Sequence, residues 1–170
     1  MSRETYSAIH ISPAPPVSWH DSSLLQNLYL ATNLPIPVPG RGQVVVNIKA
    51  SSLNARDLMV IAHDSVYPIT TLPNLSPCSD GAGVVHAVGE GSKWAGEEGK
   101  KVVLCPSNGW LRKRKESGRS AGDEVLTMDE LGGLGAGDVE GCLREFAVLV
   151  CLHTSNPVPI PNLSFQASLP

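Results

Sequence analysis

The sequence predicts a mainly β protein, a barrel or sandwich of short strands with little helix. Three observations point there. Gly (16) and Pro (14) are frequent among the 170 residues, which favours turns and short strands over long helices. Residues 43–52 alternate in the two-residue period of a strand. The other apolar runs are also strand-length and are separated by Pro/Gly turns, as in all-β barrels and sandwiches.

Each element follows in order. Tyr6–Ile11 alternates apolar and polar residues and reads as a short strand, stopped by Pro13, Pro15 and Pro16. Leu24–Ala31 is compatible with helix or strand; its length and the prolines after it favour a strand. Asn33–Gly42 carries Pro35, Pro37 and Pro39. Each Pro lacks an N–H, so this segment is expected as an extended surface connector, neither helix nor central strand. Gln43–Ser52 is the clearest strand, with Val44, Val46, Ile48 and Ala50 on one face and Val45, Asn47, Lys49 and Ser51 on the other. Asn54–Ala62 places Leu58 and Ile61 at helical spacing behind a possible N-cap, Asn54, which predicts one or two helical turns.

Thr70–Pro77 reads as loop. Gly81–Gly89 is a strand whose glycines admit another backbone at close range. Glu90–Gly99 is a turn, and Lys101–Cys105 a strand ended by Pro106. Leu111–Asp138 is polar, glycine-rich and irregular, and is expected as a flexible insertion. Leu143–Leu152 is a strand, and Ser155–Pro161, with three prolines, is extended. Ser164 is placed to cap a helix from Phe165 that stops at Pro170.

Several function classes are disfavoured. Thirteen Lys+Arg against 16 Asp+Glu give a net charge of −3, unlike a general nucleic-acid binder. The basic run Leu111-Arg112-Lys113-Arg114-Lys115 lacks interleaved aromatics and reads as a solvated loop. The longest apolar run, Phe146–Leu152, is far short of the ~20 residues of a membrane span. No secretory pattern precedes Leu24, so a cytoplasmic protein is expected. Cys78, Cys105, Cys142 and Cys151 show no CxxC spacing and read as separate thiols acting as small hydrophobes. His10, His20, His63, His86 and His153 fall in no metal spacing and read as structural. The glycines of 132–137 match no dinucleotide fingerprint, and neither GxxxxGK[ST] nor GxSxG occurs.

One constellation remains. Leu53-Asn54-Ala55-Arg56-Asp57-Leu58 is followed by Tyr67-Pro68. Pro77-Cys78-Ser79-Asp80-Gly81-Ala82-Gly83-Val84-Val85 then runs into Val88-Gly89-Glu90-Gly91. Gly99-Lys100-Lys101-Val102-Val103, Gly141-Cys142-Leu143-Arg144-Glu145-Phe146 and Ile160-Pro161-Asn162-Leu163-Ser164-Phe165 complete the order. The set resembles the N-terminal half of medium-chain dehydrogenase/reductases, nearest to the zinc-independent, quinone-oxidoreductase-like and alcohol-dehydrogenase-like branch, over roughly residues 24–170.

The resemblance implies a GroES-like β-barrel at 24–162 with the insertion at 111–138, after an N-terminal strand and Pro-rich segment at 1–23. It implies that 163–170 is the truncated start of a connection to a Rossmann domain absent from this chain. Zinc alcohol dehydrogenases of the family carry a Cys where Asn54 falls and a His where Ser79 falls, both metal ligands. Amide and hydroxyl are poor zinc ligands, so no catalytic zinc is expected. Lys100 stands where the family has an Asp in a tight turn.

The implied function is the substrate-binding part of an NAD(P)H-dependent oxidoreductase, inactive alone, that moves hydride to or from an alcohol, aldehyde, enone or quinone. Its partner is a small carbonyl compound or alcohol, with neither nucleic acid nor membrane, and no feature sets an oligomeric state. By resemblance the catalytic positions are Asn54, Tyr67 and Ser79, and the pocket positions are Asp57, Asp80 and Trp110. Asn54 alternatively only caps its helix, Tyr67 only packs a loop, Asp57 only stabilises the helix start, and Trp110 only packs the core. The alternative function is a non-enzymatic GroES-like barrel that binds a ligand or protein.

Overall fold

The computed structural model describes residues 4–104, 133–150 and 158–159. Its elements are β1 (Thr5–Ile11), a 3-10 helix (Ser22–Asn27), β2 (Leu28–Pro35), β3 (Gln43–Ser52), α1 (Ala55–Ile61), β4 (Asp80–Val88), β5 (Lys101–Val103), β6 (Phe146–Val150) and β7 (Val158–Pro159). β1 and β2 form a two-stranded sheet, and a five-stranded sheet has the order β6-β3-β4-β5-β7. Every pairing is antiparallel. The mainly β architecture is as predicted, with one short α-helix and one 3-10 helix among the described residues.

β3 organises the molecule. Val44 and Val46 enter a core with Val85, Val102 and Leu149. Val45, expected on the more polar face, is also fully buried, against Tyr6, Ala8 and Phe146. The N-terminal sheet covers that second face, so the first half of β3 is apolar on both sides. Fully burying such a side chain contributes about 1.5–3 kcal/mol. The strand's second half, Lys49–Ser52, is exposed and leads to α1. β4 lies so close to β3 that a Cβ on Gly83 would strike the Asn47 carbonyl oxygen, the tight approach its glycines predicted.

Several local expectations are corrected. Leu24–Ala31 is split between the 3-10 helix, with Asp21 accepting from Ser23 N–H at 2.9 Å, and β2. The turn buries Leu24 against Val60 and Ile61 and lets Asn27 Nδ2 donate to Ile61 O at 2.9 Å. β2 continues through Pro35, inside the expected connector; it pairs with β1 alone, and an edge strand tolerates a missing N–H. Cys78 and Cys142 are free thiols buried as small hydrophobes, as expected; the structure adds that both lie in one core.

The end of the expected flexible insertion is packed, since Leu134 and Ala136 are core residues. His86 is exposed, its ring edge-on to Phe146 at 4.9 Å between centroids. Trp110, the basic run, Cys105, Cys151, His153, residues 111–132 and the Ser164 cap lie outside the described residues.

Candidate functional site

The site is built where β3, α1 and β4 meet. Ser52 pairs with Asp80 at the end of the β3–β4 ladder, so the chain leaving β3 passes beside the first residue of β4. Asn54 then starts α1 with extended backbone (φ −124°, ψ 166°). Asp57, three residues on, turns its carboxylate back to the Asn54 N–H at 2.8 Å, while its own N–H donates to Asn54 O at 2.9 Å. Two groups otherwise orphaned at the helix start are thereby satisfied.

The Asp57 side chain is fully buried, and a buried carboxylate needs a counter-charge. Arg56 supplies it at 3.2 Å. The same guanidinium donates to Leu134 O at 2.6 Å and lies 6.0 Å from the centre of the Tyr67 ring. Arg56 thus joins α1, the Tyr67 loop and residues 134–136. It was not among the residues singled out from sequence. The available signal was a cation in the first turn of a helix, where the dipole disfavours one unless a partner holds it.

Asn54 Nδ2 donates to Asp80 Oδ2 at 2.5 Å. Ser79, only 8% exposed, precedes Asp80, and its carbonyl accepts the Cys142 S–H at 3.8 Å. The approach to Ser79 is pinned from behind: Gly141 N–H donates to Ser76 O at 2.8 Å and Cys142 N–H to Cys78 O at 2.8 Å. Gly141 is required there, since a Cβ would strike the Pro77 carbonyl oxygen and come within 2.5 Å of those of Ser76 and Cys78.

Burial pushes the Cys78 thiol up to about 12, with the Asp57 charge adding to it. Burial, with Asp80 adding, does the same at Cys142, also to about 12. Both are protonated, inert thiols at neutral pH.

Of the predicted site residues, the structure therefore gathers Asn54, Asp57 and Asp80, with Ser79 next in the chain. Tyr67 stands apart. It lines a cleft of about 380 Å³ with Met59, His63, Asp64 and Thr70, whereas Asp80 lines one of about 350 Å³ with Ala50, Ser52, Gly81 and Leu104. Arg56 links Tyr67 to the Asn54 cluster. Among the described residues no group of three or more His, Cys, Asp or Glu side chains is placed to hold a metal, and no helix is long and apolar enough to cross a membrane.

Residues 40–162 match the alcohol dehydrogenase GroES-like domain. The chain belongs to that family. It corresponds to the N-terminal part of a medium-chain dehydrogenase/reductase. A zinc-type alcohol dehydrogenase-like protein of Schizosaccharomyces pombe is 34% identical over 131 residues, 76% of this chain and 33% of that protein.

Solved structures that share the fold include the following two. The cobalt- and zinc-bound alcohol dehydrogenase of Pyrobaculum aerophilum superposes with a TM-score of 0.66 at 24% identity, covering 91% of this chain and 41% of that one. Acetophenone reductase of Geotrichum candidum in complex with NAD gives 0.66 at 19% identity, covering 97% and 43%. The GroES-like chain thus spans a third of the curated relative and about two-fifths of these structures.

Proposed function

We propose that this GroES-like chain supplies the substrate side of an NAD(P)H-dependent oxidoreductase that acts on a small carbonyl compound or alcohol without a catalytic zinc ion. The Asn54–Asp80 hydrogen bond carries the reading. It engages the Asp80 carboxylate with a neutral N–H, at a residue that by resemblance falls where zinc-dependent relatives have a metal ligand, and Ser79, which by resemblance falls at another such position, is the next residue before Asp80 in the chain.

The donor set does not suit zinc. An amide and a neutral hydroxyl bind it poorly compared with thiolate and imidazole. The described strands pair only antiparallel and offer no βαβ turn for a dinucleotide, so no step is assigned to these residues through that cofactor. The nicotinamide, when bound, supplies the hydride chemistry.

This chain's part is to hold the substrate oxygen. As charge grows on a carbonyl oxygen, the second Asn54 amide N–H and the Ser79 hydroxyl are the donors available to it, and losing one such donor costs ~3–4 kcal/mol. Tyr67, which lines the neighbouring cleft, is assigned the wall of that cleft. Asp57 and Asp80 orient Asn54.

Two measurements test this. Elemental analysis of the purified chain is expected to return no zinc; one tightly held ion per chain, lost in Asn54→Ala or Ser79→Ala, would falsify the zinc-free reading. Titration with small enones, quinones and aldehydes is expected to show binding that weakens in Asn54→Ala and Ser79→Ala. Equal binding in the variants, or none by any probe, removes the assigned roles and favours a non-enzymatic barrel. The chain alone is expected not to oxidise NADPH with the same compounds, and appreciable turnover would overturn that part.

A further inference from the structure

β1 meets two other segments at one junction. Ile9 N–H donates to Leu143 O and Ile11 N–H to Leu75 O, both at 2.9 Å. His10, between them, therefore stands where β1, residues 74–76 and residues 140–144 converge. Glu140 ties the junction together: its Oε2 accepts from Ser76 N–H at 2.9 Å and pairs with Arg144 Nη1 at 3.0 Å. Arg144 bridges Ala8 and donates to the Tyr6 hydroxyl. Its side chain thus lies along the face of β1 that carries Tyr6, Ala8 and His10.

Three polar atoms there are buried and have no hydrogen-bond partner among the described residues: His10 Nε2, Ser76 Oγ and Arg144 Nε. His10 is 9% exposed, Ser76 0%, and the Arg144 side chain 11%. Buried polar groups left unanswered are costly, and internal water is the usual remedy.

Donor and acceptor roles narrow the occupant. Arg144 Nε–H can only donate. Tyr29 O–H donates to Asn74 Oδ1 at 2.9 Å, which leaves the phenol oxygen to accept from His10 Nδ1–H at 3.4 Å. The neutral imidazole then carries its proton on Nδ1, and its Nε2 only accepts. The occupant must accept from Arg144 and donate to His10. A halide fails the second requirement and an ammonium ion the first. Glu140 already balances Arg144, so no net charge calls for an ion.

We propose that a buried water molecule bridges His10 Nε2, Arg144 Nε and Ser76 Oγ. It locks the segment approaching Ser79 and Asp80 onto β1.

The imidazole nitrogen-15 spectrum of the full chain, at about pH 8 where His is neutral, is expected to show the Nδ1–H tautomer of His10. The Nε2–H tautomer would remove the acceptor and overturn the proposal. A crystal structure is expected to show density within ~3.2 Å of both Arg144 Nε and His10 Nε2; density reaching only one of them, or neither, also overturns it. In solution, cross-relaxation from water to the Ser76 amide is expected in the native chain and lost in His10→Phe. A folded His10→Phe chain that keeps it counts equally against the site, and should that variant not fold, the tautomer and the density still decide.

Discussion

The side-chain amide of Asn54 donates to the carboxylate of Asp80 at 2.5 Å, coupling the start of α1 to the start of β4. The contact puts a neutral donor against an acid, so its removal and its inversion have different consequences. Asn54→Ala loses both the cap residue and the bond, at an expected cost of ~1–2 kcal/mol in denaturant unfolding. Asn54→Asp keeps a good cap but sets two carboxylates face to face, and its loss should shrink as the pH is lowered. Unchanged stability of Asn54→Asp at neutral pH would show that the pair does not form in solution.

Asp57 is buried with Arg56 as its counter-charge at 3.2 Å. Asp57→Ala removes the helix-start acceptor and strands the cation, so a loss of ~3 kcal/mol or more is expected. Arg56→Lys keeps charge but not the planar guanidinium whose Nη2 reaches both Asp57 and Leu134, and should fall between the native chain and Asp57→Ala. Equilibrium unfolding of the two variants checks the order.

Gly141 packs against the carbonyls of residues 76–78. Gly141→Ala drives a methyl into backbone that is itself hydrogen-bonded, so it should abolish soluble expression or cost several kcal/mol, where Gly→Ala at an unobstructed, compatible position stabilises by ~0.4–1 kcal/mol. A thermal melt close to that of the native chain would show that this segment can shift aside.

Cys78 and Cys142, each pushed up to about 12, should resist iodoacetamide at about pH 8 in the folded chain and react once it is unfolded. Mass-spectrometric mapping distinguishes them from the other cysteines. Labelling of either at the rate of a free thiol contradicts the burial.

His10 titrates below its ordinary 6.5, mainly because burial disfavours the cation. Glu140 opposes that shift and Arg144 adds to it; the uncharged Tyr29 and Asn74 complete its polar surroundings. A folded pKa below the unfolded one means that the unfolded chain binds the proton first. The His10 contribution is therefore full above about pH 6.5 and is lost as pH falls through the lowered folded value. Unfolding curves of the native chain and His10→Gln, compared across that window, should converge in acid. A constant gap assigns the difference to packing instead.

Features set by neighbouring residues were legible without the fold. The alternation of Gln43–Ser52, the Asn54 start of α1 and the glycines of β4 are local preferences, and each element formed where they placed it. The resemblance grouped Asn54, Tyr67 and Ser79 with Asp57, Asp80 and Trp110; the structure brings Asn54, Asp57 and Asp80 together, with Ser79 next in the chain, and leaves Tyr67 in a different cleft.

What tertiary structure alone decided depends on segments far apart in the chain. Val45 is buried because a second sheet happens to cover it, and Leu24 turns inward because α1 offers it a partner. Cys78 meets Cys142, Arg56 reaches Leu134, and His10 comes within electrostatic reach of Glu140 and Arg144. Periodicity and capping act over a few residues. Burial, counter-charge and orphaned polar atoms are properties of whatever packs opposite, and only the folded chain supplies that neighbour.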